Sequence, residues 1–211
     1  GSPVQSHLIY SLIRKLATEK KVKVITFAED VAASGGYMLA CAGDEIYANS
    51  SSIVGSIGVI SASFGFKDLI KKIGIDRRIY TAGKNKSTLD PFVDEKEEDV
   101  MRIKKIQTDL HANFIEIVKN SRGEKLIDPE KNNTFTGEFW SGEAAKKIGL
   151  IDGIGNADQI LRQKFGENVI IKKFEKQKSF FAKRLSSSMD NTIDSLLENI
   201  YERSIWQKFG L

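Results

Sequence analysis

Apolar residues recur with a helical spacing at the start of the chain. Over 3–18 they fall on one side of a predicted amphipathic helix, at positions 4, 8, 9, 12, 13 and 16. Pro3 suits the first turn of such a helix. The run 22–29 is rich in β-branched residues and lacks a helical period, which predicts a buried strand. Two further short strands are predicted over 44–50 and 56–64.

The rest of the chain continues to alternate between helical and extended patterns. Helices are predicted over 37–43, 66–74, 94–120 and 155–165, and strands over 77–83 and 168–174. Residues 136–152 combine a turn, a helix and the start of a strand. This alternation of short strands and helices predicts an α/β domain with a layered sheet and flanking helices.

The C-terminal part of the chain has a different pattern. We expect a domain over 1–175, followed over 176–211 by a basic linker and an amphipathic helix. A lone helix cannot bury its apolar face, so this tail predicts contact with its own domain, another subunit or a membrane surface. The chain begins with neither Met nor a signal peptide, and we expect that any membrane anchor is not present in it.

Composition narrows the class of protein. Hydrophobic residues make up 41% and charged residues 28% of the 211 residues, as in soluble globular proteins. The basic stretch 172–184 carries no zinc-finger spacing or RNA-binding aromatic motif, so we interpret it as a solvated face and predict no nucleic-acid partner. The single Cys41 stands in an apolar run and is predicted to be a buried, inert thiol.

Ser34 is the first candidate for chemistry. It stands between a predicted strand and a predicted helix, in Ala-Ala-Ser-Gly-Gly. Small neighbours let a serine occupy a sharp turn with its hydroxyl exposed, and the amide that follows can face a developing oxyanion. The alternative interpretation is a serine that only caps the helix.

A nucleophilic serine needs a base. The two histidines, His7 and His111, both lie inside predicted helices, where packing or surface roles are more common. A lysine can serve if the site lowers its pKa from about 10.4 by roughly two to three units. Lys84 and Lys86 follow the predicted strand 77–83 and both qualify, although exposed loop lysines are the ordinary alternative.

Four motifs occur in one order along the chain. They are Ser-Gly-Gly-Tyr at 34–37, Gly-Ser-Ile-Gly-Val at 55–59, a Gly-x-x-Lys loop at 83–86, and a Trp-x-Gly-x-x-Ala…Gly-Leu-Ile-Asp segment over 140–152. In this order they resemble the signal peptide peptidase A family of serine proteases, including its shorter SohB-type relatives. The resemblance covers roughly residues 1–165.

The resemblance implies a crotonase-like (ClpP-like) α/β fold and a Ser-Lys dyad. By motif, Ser34 is the nucleophile, Lys86 the general base, and Ser56 a hydroxyl that orients the lysine. The implied oxyanion hole uses the N–H of Gly35 and a glycine of a Pro-Gly-Gly-Ser loop, of which Gly1 and the following serine are present. The opening strands of the family are absent, and neither a cofactor nor a metal is implied.

The implied activity is cleavage of signal peptides or other membrane-associated peptides. The implied partners are peptide substrates, further copies of the chain in a closed homo-oligomer, and a membrane surface, with a bacterial cell envelope as the expected location. Three alternatives stand beside it: a Ser-His-Asp protease of the same fold, a crotonase-type acyl-CoA enzyme, and an inactive scaffold. A Ser-His-Asp site would want a histidine soon after Ser34, and none occurs before His111.

Overall fold

The structure is a computed structural model that describes residues 1–174. The predicted linker and C-terminal helix, 176–211, therefore lie outside the described residues. Contacts divide the chain into the units Gly1–Asn168 and Val169–Leu211, and the elements below all belong to the first. The helices are α1 Pro3–Lys20, α2 Gly35–Ala40, α3 Lys67–Lys72, α4 Glu97–Arg122, α5 Gly142–Lys147 and α6 Ala157–Phe165. The strands are β1 Ile25–Ala28, β2 Val31–Ala33, β3 Glu45–Ala48, β4 Ile53–Gly55, β5 Phe139–Ser141 and β6 Gly153–Ile154.

The strands form two three-stranded sheets. The first has the order β1-β3-β6, and both of its pairs are parallel. The second has the order β2-β4-β5, in which β2 and β4 are parallel and β5 runs antiparallel to β4. With helices packed against these sheets, the α/β class with layered sheets is confirmed.

The chain passes twice from the first sheet to the second, each time after a short corner. Two residues separate β1 from β2, and four separate β3 from β4. Ser52 fastens both corners: its hydroxyl donates to the carbonyl of Ala28 at 3.1 Å and accepts from the amide of Asn49 at 2.9 Å. The amide of Ile53 also donates to the carbonyl of Asp30 at 2.8 Å. The two corners therefore place β2 beside β4, with both strands ending at the same edge.

The core lies between the sheets and the helices α2, α4 and α5. Its fully buried side chains come from every one of these layers and include Tyr37, Ile46, Val54, Val118, Ala145 and Leu150. Helix α4 faces this core with Phe114, Ile117 and Val118, spaced three and four residues apart as the periodicity predicts. Cys41 is buried as expected, and burial raises the pKa of its thiol to about 12.

The helical patterns are confirmed for α1, α3, α4 and α6, whereas three predicted strands are wrong. In 56–64 the backbone leaves the sheet at Ser56, which has a φ of +54°. Ile60 in that segment is 88% exposed. In 77–83 the chain is held by side chains instead of a neighbouring strand: Arg77 pairs with Asp90 at 3.0 Å. Residues 168–174 are also irregular.

Candidate active site

Ser34 and Ser56 lie side by side at the edge where β2 and β4 end. These strands are parallel, and Ala33 is paired with Gly55. The residue that follows each strand is a serine, Ser34 after β2 and Ser56 after β4. The amide of Ser34 donates to the carbonyl of Gly55 at 2.8 Å. The carboxyl ends of neighbouring parallel strands are where open α/β sheets gather their functional groups.

The backbone of Ser34 has an unusual conformation. Its φ is +53° and its ψ is −121°, in a region that residues other than glycine rarely adopt. The residue stands at the N-cap position of α2, yet its hydroxyl caps no amide of that helix. The capping interpretation of Ser34 is therefore wrong. A strained serine at a strand-to-helix turn is the geometry of a nucleophile elbow.

Gly1 and Gly35 lie next to Ser34. Together they line a cavity of about 30 Å³ with Pro3, Met38, Gly58, Val59, Leu110 and Phe114. A Cβ placed on Gly35 would lie 2.5 Å from the hydroxyl oxygen of Ser6 and 3.6 Å from Cα of Gly1. A side chain at position 35 would therefore require the hydroxyl of Ser6 to move. The structure thus gathers Ser34, Gly35 and Gly1 in one place, with Ser56 on the adjacent strand end.

Lys86 does not line the cavity beside Ser34. It lies in a turn after Gly83, which has a φ of +100°, and its amide donates to the carbonyl of Gly83 at 3.1 Å. Lys86 and Lys84 are both exposed, and neither lines the cavity beside Ser34. The Ser-Lys dyad therefore stays a prediction.

The histidines have other surroundings. Nε2 of His111 lies 3.0 Å from the carbonyl oxygen of Ile57, which ties α4 to the segment after β4. His7 is exposed on α1 and, like His111, does not line the cavity of Ser34. Neither histidine is placed as a base for Ser34.

A second, larger cleft adjoins the first. It has a volume of about 560 Å³, and its walls come from α1, α2 and α4. The two cavities share the residues Pro3, Met38 and Leu110. The side chains in its wall are mostly apolar, among them Val4, Leu8, Met38, Leu110 and Ile117. The sequence did not predict this cleft, because its residues are scattered over three helices and each has the pattern of an ordinary core residue.

A buried polar group beneath α2 was also missed. Arg122, whose side chain is 1% exposed, forms an ion pair of 2.8 Å with Asp152. Burial raises the pKa of Asp152, but hydrogen bonds from Arg122, Lys125 and the amide of Ile46 outweigh burial, and the net pKa is lowered. The helical spacing of α4 gave no signal for Arg122, which stands in its last turn among charged residues.

A family model described as Peptidase family S49 matches residues 16–168. The chain therefore belongs to the S49 peptidases, as its four motifs predicted. No helix within residues 1–174 is both long and apolar enough to cross a membrane.

Curated relatives agree with this family. The chain is 31% identical to a probable protease SohB of Buchnera aphidicola subsp. Acyrthosiphon pisum, over 87% of this chain and 53% of that protein. It is also 31% identical to a probable protease SohB of Haemophilus influenzae, over 78% of this chain and 46% of that protein. A Brucella abortus protein named Na(+)/H(+) antiporter NhaA is 50% identical over 100% of this chain and 30% of its own length. The chain thus spans about half of the SohB proteins and under a third of the Brucella protein.

Solved structures show a weaker likeness. An enoyl-CoA hydratase from Shewanella pealeana is 14% identical, with a TM-score of 0.39 over 94% of this chain and 58% of that one.

Proposed function

We propose that this chain is part of a serine endopeptidase in which Ser34 attacks the peptide carbonyl. The observation that carries the proposal is the conformation of Ser34: a positive φ at a strand-to-helix turn, with a hydroxyl that the helix does not use. Strain of this kind persists where the surrounding structure enforces it and is concentrated at functional sites. Membership of a peptidase family supports the same role.

The backbone around Ser34 favours the chemistry of acyl transfer. As the hydroxyl attacks, the carbonyl oxygen of the substrate becomes an oxyanion, which backbone amides stabilise best. We assign this role to the amide of Gly35 and, from the other side of the cavity, to Gly1. Removing one such donor typically slows the reaction by about a hundredfold to a thousandfold.

We assign the general base to Lys86 and propose that it acts in an assembly of chains. Lys86 is exposed and absent from the cavity of Ser34 in the single chain, so a neighbouring copy is the source that fits. Neutral Lys86 would take the proton of Ser34 and return it to the leaving amine, after which water hydrolyses the acyl-enzyme. Ser56, beside Ser34 on the next strand, would orient the amine.

Exposed apolar side chains support a homo-oligomer. The segment between β4 and α4 exposes Ile60 at 88%, Phe64 at 77% and Tyr80 at 90%. Apolar groups in such number on one segment are typical of protein interaction surfaces. This is the same segment that carries Lys86, so one interface would cover the apolar groups and bury the lysine.

The cleft next to Ser34 indicates the substrate class. Its apolar wall, which includes Met38 and Leu110, suits extended peptides with small or apolar side chains near the cut. Signal peptides and segments of membrane proteins have this composition, and we propose them as substrates, with action at a bacterial membrane surface.

The first experiment measures hydrolysis of a fluorogenic apolar peptide by Ser34→Ala, Lys86→Ala and Lys84→Ala. We expect the first two to lose more than about a thousandfold in kcat, as paired catalytic groups do, and Lys84→Ala to retain activity. If Lys84→Ala lost the activity and Lys86→Ala retained it, the general base would be Lys84 instead.

A serine-reactive phosphonate probe gives an independent readout. Mass spectrometry should locate its adduct on Ser34 in the wild-type assembly and find none in Ser34→Ala. An intact, oligomeric chain that neither cleaves the peptide nor reacts with the probe would favour a scaffold. Turnover of an enoyl-CoA would favour the acyl-CoA alternative.

A further inference from the structure

Arg122 is a charged residue in the core, and two acceptors hold it there. It is 2% exposed at the last residue of α4. Its Nε donates to the carbonyl of Gly149 at 2.9 Å, and its Nη1 donates to Asp152 at 2.8 Å. Its Nη2 is buried and has no hydrogen-bond partner within residues 1–174. Buried ion pairs of this kind often contribute little net stability compared with apolar residues, so stability alone is a weak reason for an arginine here.

Both acceptors of Arg122 belong to the short segment 149–152, which is fastened on a second side. The carboxylate of Asp152 accepts from the amide of Ile46 at 2.8 Å, and the amide of Asp152 donates to the carbonyl of Ile46 at 2.7 Å. The segment 149–152 is thus held between the end of α4 and strand β3, and its carbonyl groups have fixed positions.

One of these carbonyl groups holds helix α2. The hydroxyl of Tyr37, which is fully buried, donates to the carbonyl of Leu150 at 2.7 Å. Tyr37 stands three residues after Ser34, in the first turn of α2. The amide of Met38 in the same turn donates to the carbonyl of Ser34 at 3.0 Å. A rotation or shift of α2 would therefore move Ser34 and the amide of Gly35 together.

We propose that Arg122 and Asp152 are positioning residues for the nucleophile. They fix the segment 149–152, whose Leu150 carbonyl fixes Tyr37, and Tyr37 sets the orientation of the first turn of α2. The inference rests on the proposed role of Ser34 and extends it to three side chains that do not touch the substrate. A displacement of about 1 Å at a reacting group can lower the rate by about a hundredfold.

The decisive variant is Tyr37→Phe, which keeps the buried ring and removes only the hydroxyl. We expect kcat per active site to fall by at least about tenfold with KM nearly unchanged, because the first turn of α2 loses its anchor while the apolar cleft keeps its walls. Tyr47→Phe is the matched control: its hydroxyl donates to Glu45, on its own strand β3, at 2.6 Å, and kcat should stay at the wild-type value.

Titration with the phosphonate probe counts the active sites, so a loss of folded protein does not enter kcat. Arg122→Lys keeps the charge and loses the fork that reaches two acceptors. If the residues act in series, Arg122→Lys combined with Tyr37→Phe should lower kcat no further than the more severe single variant. If the fall in kcat of the double variant equalled the product of the two single falls, the residues would act independently, and the proposal that they act in series would be wrong.

The outcomes separate the two proposals. Wild-type activity that Ser34→Ala abolishes, together with an unchanged kcat per site in Tyr37→Phe, would overturn the positioning role and leave Ser34 as the nucleophile. Wild-type protein without any Ser34-dependent reaction would overturn both. Should Arg122→Lys fail to fold, the kcat of Tyr37→Phe against Tyr47→Phe decides alone.

Discussion

At the scale of single residues, the site is defined by two serines with left-handed backbones. Ser34 and Ser56 have φ values of +53° and +54°, and they follow the paired residues Ala33 and Gly55. Each such conformation costs about 1–3 kcal/mol in a residue other than glycine. The two serines therefore hold strain at one point of the sheet edge, where their side chains leave the strands.

The strain at Ser34 leads to a prediction about stability. Ser34→Gly should raise the free energy of unfolding by about 1 kcal/mol over Ser34→Ala, because glycine adopts this backbone freely and only part of the gain is lost to a more flexible unfolded chain. Both variants should lack peptidase activity. Urea titration checks the difference, and equal stability of the two variants would show that the strain is relieved in another way.

Gly35 leads to a second prediction, which tests its close contact with α1. Gly35→Ala should lower the free energy of unfolding by about 1–3 kcal/mol, because its Cβ would lie 2.5 Å from the hydroxyl oxygen of Ser6. Adding Ser6→Ala removes that oxygen and should restore most of the loss, since the Cβ of Ser6 is at an ordinary 3.5 Å. Urea titration of the single and double variants measures this, and an absence of rescue would contradict the contact.

At the scale of elements, the two corners between the sheets depend on Ser52. Ser52 is 1% exposed, and its hydroxyl forms hydrogen bonds with backbone groups of both corners. Ser52→Ala should lower the free energy of unfolding by about 1–3 kcal/mol, since buried backbone groups lose their partner. The neighbouring Ser51→Ala is the control, because Ser51 is exposed and should change stability little. Thermal unfolding of both variants provides the measurement.

The segment 149–152 leads to a prediction about acid stability. Because the folded pKa of Asp152 is lowered, its contribution is fully present above its ordinary pKa, near 3.9, and is lost as the pH falls through the lower folded value. Asp152→Asn should be less stable than wild type at pH 7, and this difference should shrink below about pH 4.

Urea titrations between pH 7 and pH 3 measure the difference. Asp158→Asn, which removes an exposed partner of Arg162 on α6, is the control and should follow the wild-type curve. A difference between wild type and Asp152→Asn that stays constant down to pH 3 would contradict the lowered pKa.

The elements also show what the sequence could predict. Periodicity found α1, α4 and α6 because each buries residues of one face and repeats over two or more turns. It also found the short helix α3, none of whose residues is buried. It failed for 56–64 and 77–83, where apolar residues such as Ile60 and Tyr80 are exposed and no strand of the described chain lies beside them. Alternation in these segments reflects an apolar surface, which a pattern of residue types cannot distinguish from a buried strand.

At the scale of the whole molecule, the predicted site divides into two parts. Ser34, Gly35, Gly1 and Ser56 come together within one chain, and motif order along the sequence was enough to find them. Lys86 is exposed and does not line the cavity of Ser34, and under our proposal its place would depend on a contact between chains, which no spacing within one sequence encodes. The ion pair of Arg122 was missed for a related reason: its partner is distant in the chain and becomes a neighbour only after folding.

Assembly leads to a prediction about mixtures. Ser34→Ala and Lys86→Ala, each inactive alone, should recover activity when they are mixed and allowed to exchange chains, because some interfaces then join an intact Ser34 to an intact Lys86. Peptide hydrolysis, with light scattering to establish the oligomeric state, is the measurement. Oligomers that exchange chains and stay inactive would show that both residues must come from one chain.

Replacing the exposed aromatic residues tests the interface itself. Phe64→Ser combined with Tyr80→Ser should shift the protein toward the monomer and lower activity in the same proportion, while an isolated chain stays folded because neither side chain is in the core. Activity that is unchanged in a monomeric variant would contradict the role of the assembly.

The exposed position of Lys86 has a consequence for how the proposed activity would be controlled. A newly made chain, diluted among other proteins, would carry a nucleophile without its activator and would leave its surroundings intact. Hydrolysis would begin only where copies accumulate. The local concentration of the protein would then determine whether it is active.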